Sequence, residues 1–153
     1  MSKDLDKLLK MHDLRITQVR KDVLEFFNKR KNALSHADIE EHFSKKADRV
    51  TIYRTLHSFL EKGVLHKVLD DTGVAKYALC ADHCETHQHS DNHVHFKCLE
   101  CLKIECLHHV HLPELSLPVG YTLYSSNVLM EGICKHCSKK QYGKDKNNGN
   151  QTI

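Results

Sequence analysis

The chain has no tryptophan, and aromatic residues fill only 7% of its 153 positions. That is thin material for one large core and points to two small domains sharing the length. No stretch is apolar and long enough to read as a signal peptide or a membrane span, and the first ten residues already carry Lys3, Asp4, Asp6, Lys7 and Lys10. A cytoplasmic, reducing setting is therefore expected, without a membrane partner. The chain also lacks a nucleophile and base arrangement, a phosphate loop and an HExxH sequence, so neither an enzyme nor a small organic substrate is expected.

What it does have is sulfur and imidazole in a pattern. Cys98-Leu99-Glu100-Cys101 is answered by Cys134-Lys135-His136-Cys137, and two such pairs can surround one tetrahedral zinc ion with four thiolates. Disulfides are the alternative, but the total of seven cysteines is odd and a reducing compartment favours metal. The pairs lie farther apart than in a compact zinc ribbon, so residues 102–133 must form an element that returns the chain to its start. Between Cys80 and Cys101 stand His83, Cys84, His87, His89, His93, His95 and Cys98, a density that metal binding explains. The segment 141–153 is polar and reads as a disordered tail.

Charge divides the chain. Residues 1–76 hold 16 Lys and Arg against 12 Asp and Glu, whereas residues 77–153 hold 7 against 8, so the first half is the one to test for nucleic acid. Leu5, Leu8, Leu9 and His12 share a face of an opening helix, and Thr17 can cap a second helix that runs through Val23, Leu24 and Phe27. Ser35-x-x-Asp38 has the form of a capping box for a third helix with Ile39 and Phe43 inward. A fourth, over about 50–62, puts Ile52, Leu56, Phe59 and Leu60 on one stripe and closes at Gly63. Thr51, Tyr53, Arg54 and Ser58 lie toward its outward side, a surface suited to a major groove. Two strand-like runs, 64–69 and 74–79, flank Asp70-Asp71-Thr72-Gly73, which predicts a hairpin. Helices followed by a hairpin give the order of a winged helix, with Arg15, Arg20 and Lys21 as flanking phosphate-binding groups.

With these motifs in view, the chain resembles the ferric uptake regulator family of metal-dependent repressors, and within it the zinc uptake regulator branch. The matching residues are Arg15-x-Thr17-x-x-Arg20, the run Val50-Thr51-Ile52-Tyr53-Arg54-Thr55-Leu56, His93-x-His95-x-x-Cys98-x-x-Cys101 and Cys134-x-x-Cys137. The resemblance implies an α+β chain: a winged helix-turn-helix DNA-binding domain (1–79), a hinge and His/Cys-rich loop (80–92), and an α/β dimerisation and metal-binding domain (93–140). It implies a homodimer on palindromic double-stranded operator DNA. Tyr53 and Arg54 would read the major groove, Arg20 would hold a phosphate and Arg15 would enter the minor groove. Cys98, Cys101, Cys134 and Cys137 would hold a structural zinc.

For the regulatory metal, the zinc branch implies His66, Cys80, His93 and His95. The iron- and peroxide-responsive branches use a His and a carboxylate where this chain has Ala33 and Ala78, neither of which can bind. A thiolate with imidazoles favours zinc over iron or manganese. His87 and His89 are further candidate ligands, and Glu105 or Cys106 stands where some relatives place another, Glu105 being taken as the candidate. Such a metal would take ligands from both domains and restrict the angle between them. A zinc buffer or metallochaperone is the rival of another class; it leaves the outward Tyr53 and Arg54 without a purpose.

Overall fold

The computed structural model describes residues 2–79, 93–111, 113, 116–124 and 126–145. Helices α1 (Ser2–Met11) and α2 (Gln18–Arg30) are followed by a short strand β1 (Leu34–Ser35), α3 (His36–Phe43), α4 (Arg49–Glu61) and the strands β2 (Leu65–Val68) and β3 (Lys76–Leu79). The second half contains β4 (His93–Cys98), β5 (Ile104–His111), β6 (Leu129–Gly132) and α5 (Lys135–Asp145).

Local chemistry sets the helix ends. The Thr17 hydroxyl accepts the Arg20 amide at the start of α2. Ser35 and Asp38 form the full reciprocal capping box of α3. Helix α4 begins one residue before the expected Val50 because the Asp48 carboxylate takes the Thr51 amide at 2.9 Å and its hydroxyl at 2.6 Å. It ends in a Schellman turn: Gly63 adopts φ +69°, its amide reaching Leu60 and the Val64 amide reaching Phe59.

The buried stripes of these helices meet in one core that includes Leu9, Leu24, Phe27, Ile39, Phe43, Ile52, Leu56, Phe59 and Leu65. The hairpin β2–β3 lies beside it, and β1, which the sequence pattern did not reveal, completes the sheet in the order β1-β3-β2. Both hairpin strands are shorter than expected. Asp70 accepts the Thr72 amide and hydroxyl and holds Lys76 at 2.9 Å, so the turn extends into both predicted runs.

The second sheet has the order β5-β4-β6, antiparallel between β4 and β5 and parallel between β4 and β6. Strand β6 is the return element that the wide cysteine spacing requires. Gly132 has a packing reason, since an added Cβ would meet Phe96 Cζ at 3.1 Å. Helix α5 continues to Asp145, past the boundary placed at 140, which corrects the expected start of the tail.

The two sheets meet face to face. Strand alternation aims His66, Val68, Lys76 and Ala78 from one hairpin at His95, Lys97, Ile104, Cys106, Leu129 and Glu131 from the other sheet. The middle of the contact is apolar: Ala33, Val68, Ala78 and Ile104 are buried together, with Cys106 and Leu129 against them. The Ala33 amide also donates to the Ile104 carbonyl at 2.7 Å.

Candidate metal centres and nucleic-acid interface

At one end of this contact, His66 and His95 are 6% and 2% exposed and their Nε2 atoms are 3.0 Å apart. Cys106 Sγ lies 3.5 Å from His66 Nε2, and the three side chains bring one donor atom each within 4.8 Å of one another. His66 belongs to the hairpin of the first half; His95 and Cys106 face each other across β4 and β5. Two imidazoles and a thiol make a donor set that suits zinc or another borderline-soft divalent ion.

The cluster shares His66 and His95 with the expected ligand set, and Cys106 stands in it where Glu105 was taken as the candidate. Glu105 pairs with Phe96, one residue out of phase with Cys106, and its side chain is exposed on the other face. Alternation therefore selects Cys106 and removes Glu105. Cys80, His87 and His89 lie outside the described residues. His93 opens β4 opposite His111, ahead of an irregularity in register.

Across the opposite end of the contact runs an ion-pair network. The Lys97 ammonium lies against Asp71, 3.8 Å from Asp70 and 3.7 Å from Glu131. Burial pushes the Asp70 carboxyl up, but bonds from Thr72 and Lys76 outweigh it and hold it at about 2. The hydrogen bond to Asp71, reinforced by the surrounding carboxylates, raises Lys97. The docked arrangement thus has an apolar centre, a charged end and an end where His66, His95 and Cys106 meet.

The four cysteines of the two CxxC pairs converge where the β4–β5 turn meets the start of α5, their sulfurs all within 4.8 Å. The Cys134 amide donates to Cys98 Sγ at 3.3 Å. Amide donors from Cys101 and Cys134 draw the Cys98 thiol down to about 6, while burial and the neighbouring sulfurs push Cys137 up to about 12. Sulfurs this crowded cannot all ionise without a cation between them, so the donor set fits a tetrahedral thiolate-bound zinc.

On α4, Tyr53 and Arg54 are exposed, with the buried Ile52, Leu56 and Phe59 behind them. Tyr53 lies between His36 and His57, at ring distances of 6.3 and 6.1 Å. Arg15 is exposed in the segment between α1 and α2. The other two expected contacts are engaged internally: Thr51 completes the α4 cap, and Arg20 donates to the Arg15 carbonyl at 2.7 Å and toward Ser58 at 3.4 Å.

A winged helix docked on a cysteine-bearing sheet invites comparison with known regulators. The Ferric uptake regulator family model matches residues 11–117. The chain belongs to the ferric uptake regulator family. It is 27% identical over 140 residues to the ferric uptake regulation protein of Neisseria gonorrhoeae, covering 86% of this chain and 92% of the relative. Among solved structures it is similar to a zinc uptake regulator complexed with zinc and DNA, at a TM-score of 0.64 and 21% identity, covering 92% and 94% of the two chains. It is also similar to the Vibrio cholerae ferric uptake regulator, at 0.55 and 19%, covering 84% and 98%; these likenesses concern the fold. This family member is accordingly a metal-responsive transcriptional regulator that works on operator DNA as a dimer, not an enzyme. Among the described residues no helix is long and apolar enough to cross a membrane.

Proposed function

We propose that this protein is a zinc-responsive repressor of the cytoplasm that binds palindromic operators as a homodimer when its regulatory site is filled. The observation that carries this reading is the His66, His95 and Cys106 cluster at the contact between the two sheets. Cys80 and His93 are the remaining donors proposed for it, and Cys98, Cys101, Cys134 and Cys137 the ligands of a structural zinc. Residues 1–79 act as the DNA-binding domain and 93–140 as the dimerisation domain, with 80–92 as hinge.

The mechanism follows from where the donors sit. His66 moves with the winged helix, whereas His95 and Cys106 move with the dimerisation sheet. Bound zinc supplies a charge centre that only the docked arrangement can surround with all three donors. Docking then holds α4, with Tyr53 and Arg54, at one angle to the dimer axis, and operator affinity rises with the population of that angle. Ferrous iron and manganese favour oxygen donors, and the thiolate at 106 weighs against them.

Metal titration with an operator-binding readout tests the reading. One zinc per chain should survive mild chelation, and a second, weaker zinc should restore DNA binding in the presence of competitor DNA. Restoration by iron or manganese but not by zinc would refute zinc sensing. Unchanged metal dependence in His66→Ala would refute the proposed site.

A further inference from the structure

We propose that Arg20 is a positioning residue for DNA binding rather than a phosphate contact: its guanidinium ties the segment bearing Arg15 to the recognition helix. The inference rests on the reading of Arg15 and α4 as the parts that meet DNA. It assigns Arg20 the task of fixing the distance between them.

The two arms of the fork diverge to different parts of the chain. Nη1 donates to the Arg15 carbonyl at 2.7 Å and Nη2 points to the Ser58 hydroxyl at 3.4 Å, 38 positions away on α4. Ser58 in turn donates to the Thr55 carbonyl at 2.9 Å, so its oxygen is oriented by the helix. The Arg20 amide is held by Thr17, which fixes where the side chain starts. A planar guanidinium can serve two acceptors at a set angle; an ammonium on a flexible stem cannot hold both in one geometry. A side chain used in this way is half-buried, unlike the exposed Arg15 and Arg54.

The same segment is tied to α4 a second time. His12 Nδ1 lies 2.7 Å from the Lys62 carbonyl, and Lys62 Nζ lies 3.2 Å from Asp13. Leu14 between these ties is buried in the core. Residues 12–15 are therefore anchored to the C-terminal end of the recognition helix, at Ser58 and Lys62, and Arg20 supplies the anchor nearest Arg15. Arg15 in a minor groove and Tyr53 with Arg54 in the neighbouring major groove need a fixed offset, which this tie provides.

The test uses a duplex selected from random-sequence DNA by the full-length zinc-loaded protein, with flanking steps then made A·T or G·C. Arg15→Ala should lower affinity about tenfold and abolish the preference for A·T flanks. Arg20→Lys, which keeps the charge, should do the same, and the Arg15→Ala/Arg20→Lys double variant should bind no worse than Arg15→Ala alone. Should Arg20→Lys unfold, Ser58→Ala breaks the α4 end of the tie without touching a charge and should weaken the flank preference. Wild-type affinity in Arg20→Lys, with a salt slope lower by about one in Arg20→Gln, would make Arg20 a phosphate contact and overturn the proposal. Multiplying losses in the double variant would overturn it too. Full affinity and flank preference in Arg15→Ala would instead refute the reading of Arg15 on which it rests.

Discussion

Replacing Ile104 by Ala separates docking of the two sheets from folding of either half. Ile104 is 1% exposed and lies among Ala33, Val68 and Ala78 from the first half. The substitution removes three carbons, about 2.4 kcal/mol at ~0.8 kcal/mol each. Two of those neighbours are alanines, which cannot swing into the hole, so a cavity term remains and the total comes to about 3 kcal/mol. Because the cluster spans both halves, this cost falls on the docked state and lowers its equilibrium constant by roughly a hundredfold.

Zinc affinity at the His66, His95 and Cys106 cluster, measured by chelator competition with the cysteine site kept filled, should fall by up to that factor, because the binding-competent population falls with it. Operator affinity at limiting zinc should fall in parallel. Leu24→Ala is the control: Leu24 is fully buried in the first half's own core, so the variant should melt earlier with little change in zinc affinity. If Ile104→Ala lowers the melting temperature yet keeps zinc and operator affinity within twofold, docking is not what the metal reads.

Cys101→Ser should lose the chelation-resistant zinc and much of the dimer together, since a structural zinc contributes on the order of 10 kcal/mol to such a domain; an intact dimer by sedimentation with only the metal response lost would contradict the assignment. Cys106→Asp should move the metal preference of the second site toward manganese and iron while leaving that resistant zinc in place, as titration with each metal would record. The Asp70 carboxyl stands at about 2 against an ordinary 3.8 through Thr72 and Lys76 of its own hairpin, so its contribution to the hairpin turn is present above 3.8 and lost as pH falls toward 2; Lys97 is raised by Asp71 across the contact, so its contribution to docking is present below an ordinary 10.5 and lost above it. Docking followed by fluorescence transfer between the halves should therefore weaken at the alkaline extreme in the wild type, and Lys97→Met should lose that limb.

Much of the first half could be read in advance because its signals are local. Thr17, the Ser35 and Asp38 pair, the stripe of Ile52, Leu56 and Phe59, and the turn at Gly63 each act within a few residues. Asp48 acts just as locally, yet α4 was expected to begin at Val50; an aspartate two residues earlier was the available signal. The site was less legible. Choosing between Glu105 and Cys106 depends on which face of β5 meets the first half, and that requires the register across the hairpin. Arg20 looked like a free polar group because its partners, the Arg15 carbonyl and Ser58, become visible only once the chain is folded, whereas Thr51 is spent on the local Asp48 cap.

On the proposed assignment of the two sites, that register also gives the two CxxC pairs an influence on sensing without a place among the sensing ligands. Cys98 closes β4 and Cys101 lies in the turn leading to β5; the Cys98 amide and carbonyl bond across this turn to Lys103 and Leu102. From there the pairing runs Lys97 with Ile104, Phe96 with Glu105 and His95 with Cys106. A slip of one residue would turn Cys106 outward and bring Glu105 to face His66, exchanging a thiolate for a carboxylate. A cation holding Cys98 and Cys101 together with Cys134 and Cys137 pins both ends of the turn, and with it the parity of the whole strand pair. The closed cysteine site has no open position with which to follow metal supply. By fixing register, a filled cysteine site would decide which donor the neighbouring site presents, and so which metal the proposed site would prefer.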